Sequence, residues 1–280
     1  MKANYSLDWL RFTVPYEADI YDVLPFDWWA RDWGAKEPTA FPSYNAAIKM
    51  VVGRADWHMS LASQRKMITF TGEDLRQIRE RGTDDETLIT MVARVPGVSV
   101  TRIDFAADAV AMGLRSVSAH KAWQGGSLNT SARSVKVYMS HQAQGDVDPA
   151  TTVYFGSEQS EKRIRVYDKG KQLGLDYDWV RVELQARGKV ATKLVDQMRK
   201  KTVIGAGCAA IKGMIDWSED WYTDLMTGAV EVDLEIGRKD TNWETWVREV
   251  VMPNMEKAIK ADVSGARDWL REMWYRHGDL

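Results

Sequence analysis

The sequence has a single cysteine and no long apolar run, and both absences narrow the kind of protein it encodes. Because Cys208 has no partner, the chain contains no internal disulfide and no structural metal–thiolate centre. No apolar run approaches the length of a membrane span, and the start MKANYSLDWL has no signal-peptide core. We therefore expect a cytoplasmic protein without a membrane partner.

Several familiar catalytic patterns are also missing. The chain has no zinc-ligand spacing, no glycine-rich phosphate loop, no Ser/His/Asp pattern and no internal repeat. Its 280 residues, 45% of them hydrophobic, are enough for one good core with an appended helical region. These features indicate a globular protein whose functional side chains come from separate parts of the sequence.

Positive charge is scarce overall but concentrated locally. The formal net charge of −2 argues against a protein that coats nucleic acid. Between Lys162 and Lys201, however, twelve Lys/Arg stand against five Asp/Glu, a local +7 that leaves −9 for the remainder. Such a basic stripe is expected where a protein contacts a phosphate backbone.

Alternating apolar residues predict the architecture. Residues 5–14 form a first strand, and three strands within 46–71 are joined by links too short for crossovers. Two amphipathic helices follow, at 72–81 and 84–95, and the pattern after Gly188 is helical. The sequence therefore predicts an α+β fold: an antiparallel β-sheet with helices packed on one face and an open polar catalytic face. We place a sheet-based catalytic domain at 1–187 and a mainly helical C-terminal region at 188–280.

The stretch RIRVYDKGK, residues 163–171, combines a tyrosine with several cations. Its two-residue period puts Ile164 and Val166 on one face. The other face carries Arg163, Arg165, Tyr167 and Lys169, with Lys171 within reach after Gly170 breaks the strand. Cations favour phenolate over phenol and attract phosphate, as an attack on a phosphodiester requires. The alternative is an ordinary amphipathic strand with a solvated basic face.

Two carboxylates share one face of the next informative strand, Val98–Ala109. Asp104 and Asp108 are four residues apart, about 13 Å along a strand, which is too far to chelate one ion unless a bulge closes the gap. One of them acting as a direct metal ligand and the other through water or a neighbour is one interpretation. The other is a polar sheet face on which Asp104 pairs with Arg102.

Further polar residues occupy the same register of other strands. In WVRVELQAR, residues 179–187, Arg181 and Glu183 face outward while the valines and the leucine face inward. His58 falls on the polar side of its strand, although a lone histidine is more often a surface or structural group. A single sheet would gather these groups with Asp104, Asp108 and Tyr167 on one surface, which favours a catalytic face.

The C-terminal pattern leaves two alternatives open for its charged and aromatic residues. Lys193, Lys200 and Lys201 lie opposite the apolar stripe of a helix and form either a DNA-backbone contact or a solvated face. Tryptophans of the last helices, at 243, 246 and 269, have the spacing of a core or of a homodimer contact.

Seven segments together resemble the replication initiation factors of rolling-circle plasmids and filamentous phages, a family that includes relaxases of conjugative elements. In chain order they are LDWLRFTV, HMSLASQ, TGEDLR, VTRIDFAAD, TVYFGS, RIRVYDKGKQ and WVRVELQARGK, within residues 5–200. The resemblance implies an antiparallel sheet flanked by helices, a divalent metal, and nicking of one DNA strand at an origin.

The resemblance also implies roles for individual residues. Tyr167 matches the tyrosine that becomes joined to the 5′-phosphate, and Lys169 matches a basic residue beside it. Asp104, Asp108 and Glu183 match acidic positions associated with Mg²⁺ or Mn²⁺, and His58 is a further candidate ligand. Arg165 would assist catalysis, and the residues expected to contact DNA are Arg163, Lys171, Arg181, Lys193, Lys200 and Lys201.

The function expected from this resemblance is a replication initiator that leaves a 5′-phosphotyrosine and a free 3′-OH for rolling-circle replication. The expected partners are a single-stranded or cruciform DNA origin, a host helicase and a second copy of the chain. Two alternatives remain: a relaxase that nicks a transfer origin, and a catalytically idle DNA-binding regulator.

Overall fold

Ten strands form one antiparallel sheet within residues 1–19, 36–37, 44, 46–52, 55–62, 64–111, 113–140, 150–232 and 234, the part of the chain that the computed structural model describes. The strands are β1 Lys2–Pro15, β2 Lys36–Glu37, β3 Ala46–Val52, β4 Ala55–Leu61, β5 Arg65–Thr71, β6 Ser99–Val110, β8 Val135–Ser140, β9 Ala150–Phe155, β10 Lys162–Asp168 and β11 Trp179–Arg187. Their order across the sheet is β2-β3-β4-β5-β1-β6-β11-β10-β9-β8. Strands β7 Leu128–Thr130 and β12 Ile215–Trp217 pair separately.

The predicted antiparallel meander is confirmed in β3, β4 and β5, which pair consecutively. Strand β1 then inserts between β5 and β6, so the first strand of the chain lies near the middle of the sheet. Strands β6, β11 and β10 follow side by side, and these three carry most of the predicted site residues. The predicted α+β class and antiparallel sheet are therefore confirmed.

Helices cover the apolar face of this sheet. The helices of the described residues are α1 Gly72–Glu80, α2 Asp85–Ala93, α3 Val117–Gly125, α4 Lys169–Gln172, α5 Gly188–Lys200, α6 Val203–Lys212 and α7 Asp220–Leu225. Of these, α4 is a single turn at the end of β10 that lies against Tyr177 and Trp179 instead. The apolar stripe of α5 is buried, as the 3.6-residue period predicts, and the Thr192 hydroxyl donates to the Val100 carbonyl of β6 at 3.0 Å. Phe105 of β6 is fully buried beneath α6. The core therefore lies between these helices and the central strands.

Local capping explains where several helices begin. Thr71 and Asp74 form a capping box at α1, in which the Asp74 carboxylate accepts from the Thr71 backbone N–H at 2.6 Å. Asp84 accepts from the Thr87 N–H at 2.7 Å at the start of α2. Thr202 accepts from the Gly205 N–H at 2.9 Å at the start of α6. Each side chain satisfies a backbone donor that the first helical turn leaves unpaired.

Residues Met1–Leu234 form one compact unit, which includes α5, α6 and α7 together with the sheet. The domain boundary at residues 187 and 188 stays a prediction. The three tryptophans expected in a core or homodimer contact, at 243, 246 and 269, lie outside the described residues. No helix in the described part of the chain is long and apolar enough to span a membrane.

We predict that Gly207→Ala destabilises the protein by about 1–3 kcal/mol, the usual range for overpacking a core. A Cβ at Gly207 would lie 2.5 Å from two atoms of the Phe105 ring, so the ring or α6 must shift. Gly213→Ala is the matched control, because its Cβ would meet nothing closer than 3.4 Å and the backbone φ there is −67°. Urea unfolding followed by circular dichroism measures both, and equal stabilities would contradict the packing argument.

Candidate active site

Cross-strand pairing aligns the predicted site residues in rows on the sheet face opposite the helices, here called the open face. Tyr167 of β10 pairs with Arg181 of β11, which pairs with Asp108 of β6. In the next row Arg165 of β10 pairs with Glu183 of β11. Directly opposed residues have Cβ atoms about 5 Å apart, so each row brings side chains from separate parts of the sequence into contact.

Tyr167, Glu183 and Arg165 form the centre of the site. The Tyr167 hydroxyl donates to Glu183 Oε2 at 3.1 Å. Arg165 Nη2 donates to the same carboxylate, at 2.7 Å from Oε2 and 2.6 Å from Oε1, and its guanidinium lies 5.0 Å from the centre of the Tyr167 ring. Lys169 Nζ lies 5.8 Å from that centre and donates to Gln172 at 2.9 Å. The phenol is thus in contact with a base and surrounded by cations.

Burial dominates the protonation of this centre. Tyr167 is 6% exposed and Glu183 is 1% exposed. Burial raises the pKa of the Tyr167 phenol, and the Glu183 charge raises it further, while Arg181 and Arg165 oppose the shift. The arginines do favour phenolate, as expected, but burial outweighs them and the phenol is the favoured form. Burial also raises the pKa of the Glu183 carboxyl, against the opposing effect of Arg165, and it lowers the pKa of the Lys169 amine with help from Arg181.

Arg181 holds two aspartates from different strands. Its Nε and Nη2 donate to Asp108 at 2.7 and 2.9 Å, and its Nη1 donates to Asp8 Oδ1 at 2.9 Å. Arg181 is only 6% exposed and each of its three nitrogens donates to one of these carboxylates, so it holds the two aspartates in place. Its contact with DNA stays a prediction. The pKa of its guanidinium is lowered by burial but raised overall by Asp108.

Asp8 is a member of this cluster that sequence analysis missed. The register of β1 shifts between Leu7 and Trp9, so a bulge places Asp8 beside Arg181. A signal was present in the sequence, because Leu7 and Leu10 are both fully buried although strict alternation would put them on opposite faces.

The predicted metal ligands do not come together as a metal centre. Asp104 is bound by Arg102 at 2.9 and 2.5 Å and by Gln185 at 3.4 Å, which is the ion-paired alternative considered above. Asp108 is bound by Arg181, and Glu183 by Arg165. In the described part of the chain no three His, Cys, Asp or Glu side chains are grouped so that they could hold a metal ion.

His58 is remote from these carboxylates. Its backbone pairs with Thr69 of β5, and β4 is five strand spacings from β10, roughly 24 Å. The side chain of His58 lies outside the described residues. The register therefore does not bring His58 to Tyr167 or Glu183.

Several buried N–H donors on the open face have no hydrogen-bond acceptor among the described residues. They are Nε of Arg163, Nε of Arg165 and the indole Nε1 of Trp9. Arg163 also stacks on Tyr154, with its guanidinium 3.8 Å from the ring centre. Buried donors are nearly always paired in native proteins, so these N–H groups stand out on the open face.

A row of arginines extends this basic surface and was also missed. Arg11, Arg102 and Arg187 are directly paired across β1, β6 and β11. Arg102 and Arg11 lie 4.4 and 5.4 Å from the centre of the Trp9 ring. Asp104 compensates one of these charges through Arg102, and the row concentrates positive charge on this part of the open face.

The lysines predicted to contact DNA lie on the other side of the sheet. Lys193 and Lys200 belong to α5, and Lys201 follows it; α5 buries its apolar stripe against β6 and α6. Lys200 is also paired with Asp196 at 2.6 Å. The sheet therefore separates these lysines from Tyr167, and the choice between a DNA contact and a solvated face for them stays a prediction. Lys171 lies in α4, directly after the tyrosine strand.

The two residues that follow Tyr167 in sequence have structural roles. Asp168 accepts from the Ser116 N–H and hydroxyl at 2.8 and 2.7 Å and from the Thr151 N–H at 3.2 Å. Asp168 therefore ties the end of β10 to the residues around Ser116 and Thr151. Gly170 does not simply break the strand: a Cβ there would lie 2.4 Å from the Tyr177 carbonyl oxygen, so only glycine permits this close approach.

We predict that the phenolate absorbance of wild type and of Tyr167→Phe coincides up to pH 10, the ordinary value, and differs only above it. Because the folded-state pKa is raised, the contribution of this phenol to stability is present below that pH and is lost as pH rises through the folded pKa. A spectrophotometric pH titration checks this. A difference at neutral pH would show that Tyr167 is a phenolate after all.

Comparisons with known proteins identify the family and the fold. The sequence profile of the replication initiation factor family, Rep_trans, matches residues 98–274, more than half of the chain. The chain is also similar to the solved rolling circle replication initiator protein from Geobacillus stearothermophilus, with a TM-score of 0.68 and 15% identity over 84% of this chain and 100% of that one. At this identity the likeness shows a shared fold. No curated protein matches the chain. On the strength of the profile match, the chain belongs to the replication initiation factor family.

Proposed function

We propose that this replication initiation factor nicks one DNA strand at an origin by attack of Tyr167 on a backbone phosphate. The observation that carries the proposal is the Tyr167 hydroxyl, 3.1 Å from Glu183, on a face where buried arginine N–H groups have no acceptor among the described residues. A nucleophile, a base and an anion-binding surface are what such an attack requires. Family membership supports DNA at an origin as the partner.

In the proposed step Glu183 acts as general base. The distance from Tyr167 lies within the reach of direct proton transfer, and the raised pKa of the Glu183 carboxyl makes it a better proton acceptor. The phenol oxygen bonds to phosphorus as its proton passes to Glu183. The bond from phosphorus to the 3′-oxygen breaks, and that oxygen takes up a proton to become a 3′-hydroxyl. The 5′-phosphate stays on Tyr167, which conserves the bond for later rejoining.

The cations around Tyr167 would bind the phosphate and balance the developing charge. Arg163 and Arg165 are two residues apart on one face of β10, roughly 7 Å, and each has a buried Nε–H without an acceptor among the described residues. Phosphate oxygens are the natural partners of such donors. Lys169 is the nearest amine, and its lowered pKa favours donation of a proton to the leaving 3′-oxygen.

The requirement for Mg²⁺ or Mn²⁺ stays an expectation from the family resemblance. Carboxylates are the right donors for either ion, which would polarise a phosphate oxygen when bound. Asp104 and Glu183 do not fit such a centre as they are arranged, because Arg102 and Arg165 already occupy their oxygens. No step proposed here uses the metal.

One observation favours the alternative of a catalytically idle DNA-binding regulator: Tyr167 is 6% exposed, so a phosphate reaches its hydroxyl only after a local rearrangement. A relaxase would perform the same chemistry at a transfer origin, and the identity of the nicked site separates it from an initiator. A host helicase, a homodimer and a cytoplasmic location remain predictions from the sequence.

We predict that Tyr167→Phe abolishes covalent protein–DNA product while leaving DNA binding and folding intact, because only the attacking oxygen is removed. Single-stranded oligonucleotides tiled across the DNA around the gene are incubated with protein in Mg²⁺, in Mn²⁺ and in a chelator. Adducts are then resolved on denaturing gels, and the nicked oligonucleotide identifies the origin.

Phenylalanine variants of Tyr138, Tyr154 and Tyr177 are the controls and should still form the adduct. An adduct that survives Tyr167→Phe would reassign the nucleophile, and no adduct in wild type on any oligonucleotide would favour the idle regulator. An adduct that forms in the chelator would overturn the expectation of a metal.

We also predict that Arg163→Ala weakens single-stranded DNA binding and reduces the slope of log K against log salt by about 0.7, the value for one phosphate contact. Combined alanine changes at Lys193, Lys200 and Lys201 should leave the slope unchanged, since α5 lies on the opposite face. Fluorescence anisotropy across a salt series measures both. A smaller salt slope in the triple lysine variant would show that α5 contributes to DNA binding.

A further inference from the structure

A pocket of about 530 Å³ opens on the same face as Tyr167 and has no part in the step described above. Its lining residues are Lys2, Asn4, Asp108, Val110, Tyr177 and Trp179. This volume lies within the range of pockets that hold small organic groups. Asp108 also belongs to the Tyr167 row, two strand spacings or roughly 10 Å from Tyr167, so the pocket adjoins the site.

Two parallel aromatic rings form one wall of this pocket. Tyr177 and Trp179 stack with an interplanar angle of 6° and a centroid distance of 6.4 Å, and Tyr177 is 47% exposed. An exposed, flat aromatic surface beside a phosphate-binding site is the usual platform for an unpaired nucleobase. A stacking platform requires a tyrosine whose backbone is fixed, and the backbone of Tyr177 is held by contacts on both sides of its turn.

Two contacts fix the turn that carries Tyr177. Asp178 accepts from the Gly113 N–H at 2.6 Å and is ion-paired with Arg115. On the other side Gly170 packs against the Tyr177 carbonyl, which ties the turn to the residues directly after Tyr167. The turn that carries the aromatic wall is therefore packed against α4, the short helix that follows the tyrosine strand.

The charges around the pocket are compatible with DNA. The Asp108 carboxylate would repel phosphate if it were free, but it accepts from Trp179 Nε1 at 2.8 Å and from two nitrogens of Arg181. The charge of Asp178 is likewise matched by Arg115. Lys2 adds a positive charge at the rim, and the Asn4 amide offers a donor and an acceptor to a base edge.

We propose that this pocket binds an unstacked nucleobase of the single-stranded DNA, next to the phosphate that Tyr167 attacks. The inference rests on the proposed function and deepens it, since it adds a base contact to a site otherwise built to hold phosphate. Stacking on Tyr177 and Trp179 supplies the affinity. Anchoring a neighbouring base in this way would hold the scissile phosphate at Tyr167.

The test compares two single-stranded probes of equal length and charge, an oligothymidylate and an abasic oligomer, by fluorescence anisotropy. All proteins carry Tyr167→Phe, so that strand cleavage does not affect the measurement. We expect Tyr177→Ala to weaken binding of the oligothymidylate by about tenfold, the typical loss for one stacked base. Binding of the abasic oligomer should be unchanged.

Tyr16→Ala is the matched control, because Tyr16 is 44% exposed and lies beyond the opposite end of β1. It should bind both probes normally, and Tyr177→Phe, which keeps the ring, should bind like the parent protein. If Tyr177→Ala does not fold, Asn4→Ala probes the opposite wall with the same pair of oligomers and should show a selective loss for the oligothymidylate.

Equal losses for both probes, or no loss for either, would overturn the pocket assignment. The outcome is independent of the nicking chemistry, since equilibrium binding requires no reaction. An adduct that survives Tyr167→Phe would instead refute the assigned nucleophile and leave the base pocket standing.

Discussion

The hydrogen-bond register of β6, β11 and β10 determines which side chains meet at the centre of the site. Because opposed residues are fixed by backbone pairing, Tyr167 meets Arg181 and Asp108 in one row, and Arg165 meets Glu183 in the next. A slip of one residue in β11 would turn Glu183 into the helical core and bring Val182 to the open face. The apolar register, buried beneath α5 and α6, prevents such a slip, so packing on one side of the sheet secures the chemistry on the other.

Charge compensation is the second organising constraint. Asp104, Asp108 and Glu183 are each about 1% exposed, and each is paired with an arginine. An isolated buried carboxylate is costly, so these pairs are required for the fold as much as for function. The same pairing occupies the oxygens that a metal would use. The carboxylates expected to bind a metal are thus ion-paired with arginines in this structure, and their role as ligands stays a prediction.

The basic stripe of the sequence divides between two surfaces. Arginines of β10 and β11 lie on the open face. Arg11 of β1 and Arg102 of β6, which are distant in sequence, lie on the same face. Lysines of α5 lie beyond the sheet on the helical side. Basic residues that are close together in the sequence therefore lie on two separate surfaces of the fold. The proposed DNA-binding surface includes only the arginines of the open face.

Periodicity alone determined the α+β class, the meander, the strands of the site and the face on which Tyr167, Glu183 and Asp104 lie, because alternation is a local property of the chain. Which residues contact one another was decided only by the tertiary structure. Asp8 depends on a bulge in β1, the arginine row on pairing among three strands, and the Tyr177 pocket on the packing of α4 against the next turn. The protonation of Tyr167 was also beyond the sequence, since desolvation depends on how completely the fold surrounds the phenol.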